Sequence, residues 1–102
     1  MARRKVLAPL ARRDIKDIAA YIGAEDSAAA RRLVGRIEKT IELLAQRPHA
    51  GPPARLPFSM PMRRMSVPPY IVFYVPTETE LIVLRVLHAS RDLADPALFD
   101  QR

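Results

Sequence analysis

The sequence predicts an α+β domain in which two helices form an antiparallel hairpin on a mainly antiparallel sheet. The first half of the chain repeats apolar residues at helical spacing, whereas the second half contains short runs rich in Val, Ile, Tyr and Phe. Eight of the ten prolines lie between residues 48 and 76, which excludes a long helix there. With 102 residues and no internal repeat, the chain is predicted to be one domain, residues 1–102.

A short strand and an amphipathic helix are predicted at the start of the chain. Residues 3–8 suit a strand, and Pro9 suits the first turn of a helix because the amide that proline lacks would have no partner there. Isoleucines then recur at helical spacing, with charged residues on the other side. Gly23 marks the predicted end of this helix.

A second helix is predicted to begin just after a short link. Asp26 or Ser27 can accept a hydrogen bond from its first free amides, and an apolar stripe continues from Ala30 to Leu44. The helix is predicted to end at Arg47, because the residue before a proline is pushed out of the helical region. Two helices joined by so short a link predict a hairpin.

Three strands are predicted in the second half, at Met62–Val67, Tyr70–Val75 and Leu81–His88. Pro68-Pro69 separates the first two, and residues 76–80 suit a hairpin connection between the last two. The three strands are therefore predicted to form an antiparallel sheet behind the helices. A short helix is predicted after Asp95-Pro96.

The last two predicted strands are apolar on both faces, although a sheet covered on one side should alternate apolar and polar residues. Because two helices cover only one face, we expect part of the other face to be exposed and to bind a partner. A basic rim around such an apolar groove favours an acidic amphipathic helix. The alternative is that the proline-rich loop covers this face with Leu56, Phe58 and Met60.

The composition favours an anionic partner and a reducing compartment. The net charge is +6, and all but three of the 17 basic residues are arginine, which suits carboxylates, phosphates or an acidic protein. Coding bias toward Arg and Ala is the alternative explanation. The chain has no cysteine, no export signal and no apolar run of about 20 residues, so we expect a cytoplasmic protein that is not inserted in a membrane.

One group of ionisable residues could carry chemistry. His88, Arg91 and Asp92 follow the last predicted strand, which also contains Arg85. A ribonuclease needs a base, an acid and cations around the phosphate, and this group offers part of that set. The alternative is structural, with His88 ending the strand and Arg91 paired with an acid. The second histidine stands alone, so no metal site and no cofactor are predicted.

Several short motifs also follow one another along nearly the whole chain. They are Ala11-x-x-Asp-Ile-x-x-Ile-Ala-x-Tyr-Ile22, Ala29-Ala30, Pro48-x-x-Gly51, Arg63 before Tyr70-Ile-Val-Phe-Tyr74, and Arg85-Val-Leu-His88-x-x-Arg91-Asp92. In this order and spacing they resemble the RelE/ParE superfamily of type II toxins, and its ParE branch more closely.

The resemblance implies a toxin held inactive by a cognate ParD-like antitoxin, which wraps it with a helix and an extended arm, in a complex that can be a heterotetramer. It also implies that ParE-like members inhibit DNA gyrase, whereas RelE-like members cut messenger RNA on the ribosome. In the ribonuclease branch a basic residue follows the tyrosine that matches Tyr70, but here Ile71 follows it. Near the end of the chain Phe99 stands where a tyrosine is expected, which also favours a toxin that binds its target and is not itself an enzyme.

Three functional hypotheses therefore stand. In the first, a ParE-like gyrase inhibitor binds antitoxin or target through residues around a groove, namely Arg63, Arg64, Arg85, His88 and Arg91. In the second, a RelE-like ribonuclease binds phosphate with Arg64 and Arg91 and transfers a proton with His88. In the third, the chain is a basic nucleic-acid-binding domain without toxicity.

Overall fold

The computed structural model describes residues 2–56 and 61–101, and its elements follow the predicted order. They are β1 (Arg4–Leu7), α1 (Pro9–Gly23), α2 (Ser27–Gln46), β2 (Arg63–Val67), β3 (Tyr70–Pro76), β4 (Glu80–His88) and a 3-10 helix (Pro96–Phe99). The predicted α+β class and its helical hairpin are confirmed. None of the helices described is both long enough and apolar enough to cross a membrane.

Local sequence signals set the ends of both helices. Pro9 occupies the first turn of α1. The Asp26 side chain accepts a hydrogen bond from the Ala29 amide (3.0 Å) at the start of α2, so this residue caps the helix as predicted. Arg47, which precedes Pro48, has left the helical conformation.

The sheet contains four strands in the order β1-β4-β3-β2. The β2–β3 and β3–β4 pairs are antiparallel, as predicted, whereas β1 pairs with β4 in parallel, with Lys5 opposite Leu81. The sheet is therefore mixed, with one strand more than the predicted antiparallel three. The sequence alone does not place β1 in the sheet, because a four-residue strand contains no signal for a partner so far along the chain.

The two helices cover one face of this sheet and form the larger core. On the helical side the core contains Ile18, Leu33, Ile37, Ile41 and Leu44. Strands β3 and β4 supply the opposing residues Val72, Tyr74, Leu81, Val83 and Val86. Four of these side chains are fully buried, namely Val72, Tyr74, Leu81 and Val83. One face of each strand is therefore apolar because it packs against the helices.

The second face is covered by the chain itself, so the expected exposed apolar groove is wrong. Phe99 packs edge to face against Phe73, with ring centroids 5.2 Å apart, and Ile71 and Leu87 join the same buried cluster. Further partly buried residues close the cluster, namely Ala54, Leu56, Leu93 and Leu98. The loop alternative is confirmed at Leu56, whereas Phe58 and Met60 lie outside the described residues.

Candidate functional site

Arg85, one of the predicted site residues, is largely buried and contacts helix α1. Its Nε and Nη2 donate to the two carboxylate oxygens of Asp14 on α1, both at 2.7 Å. The side chains are 12% and 10% exposed, so the ion pair is largely removed from water. Arg85 Nη1 also donates to the Leu98 carbonyl oxygen (2.6 Å). The prediction that Arg85 lies on the rim of a partner groove is therefore wrong.

A bulge in β4 allows this arrangement. Phe73 pairs with Arg85 but Tyr74 pairs with Val83, so Leu84 is the additional residue. Gln101 donates to the Leu84 carbonyl oxygen and accepts from the Leu10 amide, both at 2.9 Å. The Asp14 carboxylate also accepts from the Val86 amide (2.9 Å). Helix α1, strand β4 and the C-terminal segment are thereby joined where β1 ends.

Arg63 takes part in a second polar cluster, at the end of α2. Tyr74 Oη donates to the Pro48 carbonyl oxygen (2.9 Å) and accepts from the Gly51 amide (3.0 Å). Arg63 Nε donates to the Gly51 carbonyl oxygen (2.6 Å), and its Nη2 donates to the His49 carbonyl oxygen (3.3 Å). Arg63 therefore holds the loop after α2 against the sheet, a role that its position in the sequence did not predict.

His88 lies exposed at the end of β4, and its ring is oriented by three contacts. The Ser90 amide donates to Nδ1 (3.1 Å), and Ser90 Oγ lies 2.8 Å from the same nitrogen. The ring stands edge to face with Tyr70, with 5.3 Å between the centroids. Nδ1 of His88 is therefore occupied by Ser90 within the turn after β4.

The residues of the ribonuclease hypothesis are not assembled at one point. Residues directly opposite each other on neighbouring strands point to the same face of the sheet. His88 lies opposite Tyr70, whose ring belongs to the core under the helices. Arg64 lies opposite Phe73, whose ring belongs to the core on the other face. Arg64 and His88 therefore project from opposite faces of the sheet. Their backbones are also two strands and three residues apart, about 14 Å from the strand spacings.

Arg91 and Asp92 lie in the exposed turn after β4, and each forms a hydrogen bond with the backbone of a nearby residue. The Arg91 amide donates to the His88 carbonyl oxygen (3.0 Å), and the Asp92 carboxylate accepts from the Ala94 amide (3.0 Å). Within residues 2–56 and 61–101 no carboxylate forms an ion pair with Arg91. Arg64, His88 and Arg91 are available to a partner on the surface, and their role in binding stays a prediction.

A groove beside β1 was not predicted from the sequence. It is lined by the apolar side chains of Leu7, Ile15 and Ile41 and has a volume of about 390 Å³. Charged residues at its mouth are Lys5, Arg12 and Glu38. A signal existed in the sequence, since Leu7 and Ile15 are apolar residues on neighbouring elements, but the distance between the elements is set only by the fold.

The backbone of β1 is also open along this groove. Arg4 and Ala8 donate to Thr79 and Val83 of the β4 side, so the even-numbered residues of β1 face β4. The amides and carbonyls of Lys5 and Leu7 therefore point away from the sheet, and no described strand pairs with them. The groove thus combines an open strand edge with an apolar pocket, which is a suitable site for an extended or helical peptide.

Comparisons with known proteins find a matching family and a toxin relative. Residues 6–93 match the model of a family described as the ParE toxin of type II toxin-antitoxin systems. A protein of Sinorhizobium fredii (strain NBRC 101917 / NGR234), named "Putative toxin Y4kP", is 32% identical over 92 residues. That alignment covers 89% of this chain and 94% of the relative.

Solved structures share the fold at lower sequence identity. A chromosomal ParDE toxin-antitoxin system from P. aeruginosa includes a chain that superposes with a TM-score of 0.72 and 18% identity, covering 85% of this chain and 96% of the other. The RelBE2 toxin-antitoxin complex of Mycobacterium tuberculosis gives a TM-score of 0.61 and 22% identity, covering 86% and 99%. At such identities the likeness establishes the fold.

Proposed function

The chain belongs to the ParE family of type II toxins, and from this premise we propose that it stops growth in the cytoplasm by inhibiting DNA gyrase. We propose further that a ParD-like antitoxin neutralises it. In this proposal the toxin acts by binding its target and catalyses no reaction.

The arrangement around His88 is the observation that carries the choice of a binding mechanism. A ribonuclease of this fold would need a base and cations around one phosphate. Nδ1 of His88 is occupied by the Ser90 amide, and Arg64 projects from the other face of the sheet. Both facts favour an inhibitor that acts by binding rather than a nuclease.

The groove beside β1 supports an antitoxin as the partner. Its apolar floor suits the apolar face of an amphipathic segment. Arg12 at its mouth, which forms no ion pair among the described residues, suits an acidic residue of the same segment. The open edge of Lys5 and Leu7 can pair with an extended arm. One segment could thus cover both features at once.

The target is tested by inducing the chain without an antitoxin. We expect growth to stop, plasmid DNA to lose negative supercoiling, and messages to keep their full length. Messages should also keep their full length in a His88→Ala variant, because in this proposal the imidazole transfers no proton. Cleaved messages with normal supercoiling, with the cleavage lost in a folded His88→Ala protein, would support the ribonuclease and contradict the proposal.

The antitoxin site is tested with neighbouring charges on α1. Arg12 lies at the mouth of the groove, whereas Arg13 is equally exposed but does not line it. We expect Arg12→Glu to weaken binding of the antitoxin by about tenfold, or about 1.4 kcal/mol, because it places like charge beside an acidic segment. Arg13→Glu is the matched control, and an equal loss in both variants would count against this site.

A further inference from the structure

Helix α2 separates its charges onto two sides. The buried line of Leu33, Ile37 and Ile41 packs on the sheet. At 100° per residue, one side of this line carries Arg32, Arg36 and Lys39. We call these three residues, together with Arg47 at the C-cap, the basic flank. The other side carries Glu38, Glu42 and a single cation, Arg31.

Two contacts fix the position of each side in the fold. Arg36 Nη2 donates to the Pro68 carbonyl oxygen (3.2 Å) in the turn after β2, so the basic flank lies at the β2 edge of the sheet. The ion pair of Glu42 with Lys5 holds the other side at the β1 edge. The basic flank therefore faces away from the groove beside β1.

The basic flank is not neutralised within the described part of the molecule. The ion pairs there are Arg4–Glu80, Lys5–Glu42 and Arg85–Asp14, and none of them includes a residue of the flank. The four residues of the basic flank are all exposed. Like charges held in a row repel one another, so such a row favours a partner that supplies negative charge.

The shape of the flank favours a long, regular polyanion. From Arg32 to Arg47 the row spans about 22 Å at the helical rise, which is the length of about six base pairs along the axis of a DNA duplex. Leu43 is the one large apolar side chain exposed along it in the described residues, at 45%. A protein partner would need a larger apolar centre with aromatic anchors, which this surface does not offer.

We propose that the basic flank binds the phosphate backbone of duplex DNA without reading its sequence. Guanidinium groups suit phosphate oxygens, and contacts of this kind need only charge and position. The proposal goes beyond gyrase inhibition, since it needs no gyrase. It also gives the toxin a surface for DNA that an antitoxin seated beside β1 leaves uncovered.

The test measures binding of the full chain to a short duplex of mixed sequence by fluorescence anisotropy between about 50 and 200 mM salt. The flank variant is Arg32→Gln/Lys39→Gln/Arg47→Gln, which keeps the contact of Arg36 with Pro68. The matched control, Arg13→Gln/Lys16→Gln/Arg31→Gln, removes three exposed charges from α1 and the opposite side of α2. Circular dichroism confirms that both are folded, and single substitutions replace the triple if it is not.

Four phosphate contacts predict a slope of about −3.6 for the logarithm of the binding constant against that of salt concentration. We expect about −0.9 for the flank variant and a slope near the parent value for the control. Equal loss in both triple variants, or the absence of binding at low salt, would overturn the proposal. The proposal would also be overturned if the parent chain bound a poly-glutamate peptide as tightly as the duplex and the flank variant lost that binding. The surface would then serve an acidic protein.

Gyrase inhibition is measured separately on the same proteins. A flank variant that loses DNA binding as expected supports the inference, whatever its effect on supercoiling. If instead neither triple variant changes DNA binding while the parent chain inhibits gyrase, the inference fails and the proposed function stands.

Discussion

Removing Asp14 should destabilise this protein more than removing any exposed acid. In Asp14→Ala the Arg85 guanidinium loses both of its carboxylate contacts, although the Arg85 side chain is only 12% exposed in the folded protein, and the Val86 amide loses its acceptor. Breaking a buried ion pair on one side costs about 3–5 kcal/mol. Against a total stability of about 5–15 kcal/mol, that is a large share.

The assay is equilibrium unfolding in urea, with thermal unfolding as a second measurement. A loss of about 3 kcal/mol corresponds to a fall in Tm of at least about 12 °C for a domain of this size. The matched control is Asp17→Ala, because Asp17 is an exposed acid on the same helix with no ion pair among the described residues. We expect the control to change stability by less than about 0.5 kcal/mol.

A double substitution separates the lost ion pair from other effects of the change. In Asp14→Ala/Arg85→Met no charge is left buried, so the double variant should be more stable than Asp14→Ala alone. This variant also keeps the test valid if Asp14→Ala fails to fold. A loss below about 1 kcal/mol in Asp14→Ala, or a double variant no more stable than it, would refute the reasoning.

Three further predictions concern packing. Gly51→Ala should cost at least about 1–3 kcal/mol, because its Cβ would lie 2.3 Å from the Arg64 carbonyl oxygen and 2.7 Å from Tyr74 Oη. Gly35→Ala is the contrasting change, since its Cβ would have no atom within 4 Å apart from its chain neighbours and the adjacent backbone of α2. It should stabilise α2 by about 0.5–1 kcal/mol in urea unfolding. Phe99→Ala should cost about 3–5 kcal/mol and increase binding of a hydrophobic dye, because it uncovers the second face of the sheet; unchanged dye binding would contradict that cover.

The motifs that carry the family resemblance hold the fold together more than they form a reactive centre. Asp14 and Arg85 come from the first and last motifs, and they form one ion pair across 71 residues of sequence. Gly51 and Tyr74 come from two middle motifs and meet with Pro48 in one hydrogen-bonded cluster. Residues of separate motifs are therefore joined by contacts within the fold. The residues of the ribonuclease hypothesis, Arg64 and His88, are not brought together in this way.

The sequence by itself determined the local structure of this protein. The bounds of α1 and α2 follow from Pro9, the Asp26 cap and Pro48, because caps and prolines act within a few residues of their own position. The three later strands follow from their β-branched and aromatic residues for the same reason.

Only the tertiary structure decided how these elements meet. It placed β1 beside β4, covered the second face with Phe99, and turned Arg85 from an expected surface cation into a buried partner of Asp14. It also brought β1 and the helices together into a groove, and it set the basic flank of α2 against the opposite edge. Each outcome depends on contacts between residues far apart in the chain. The hydrophobic pattern indicates that a residue is buried, but it does not indicate which distant residue it contacts.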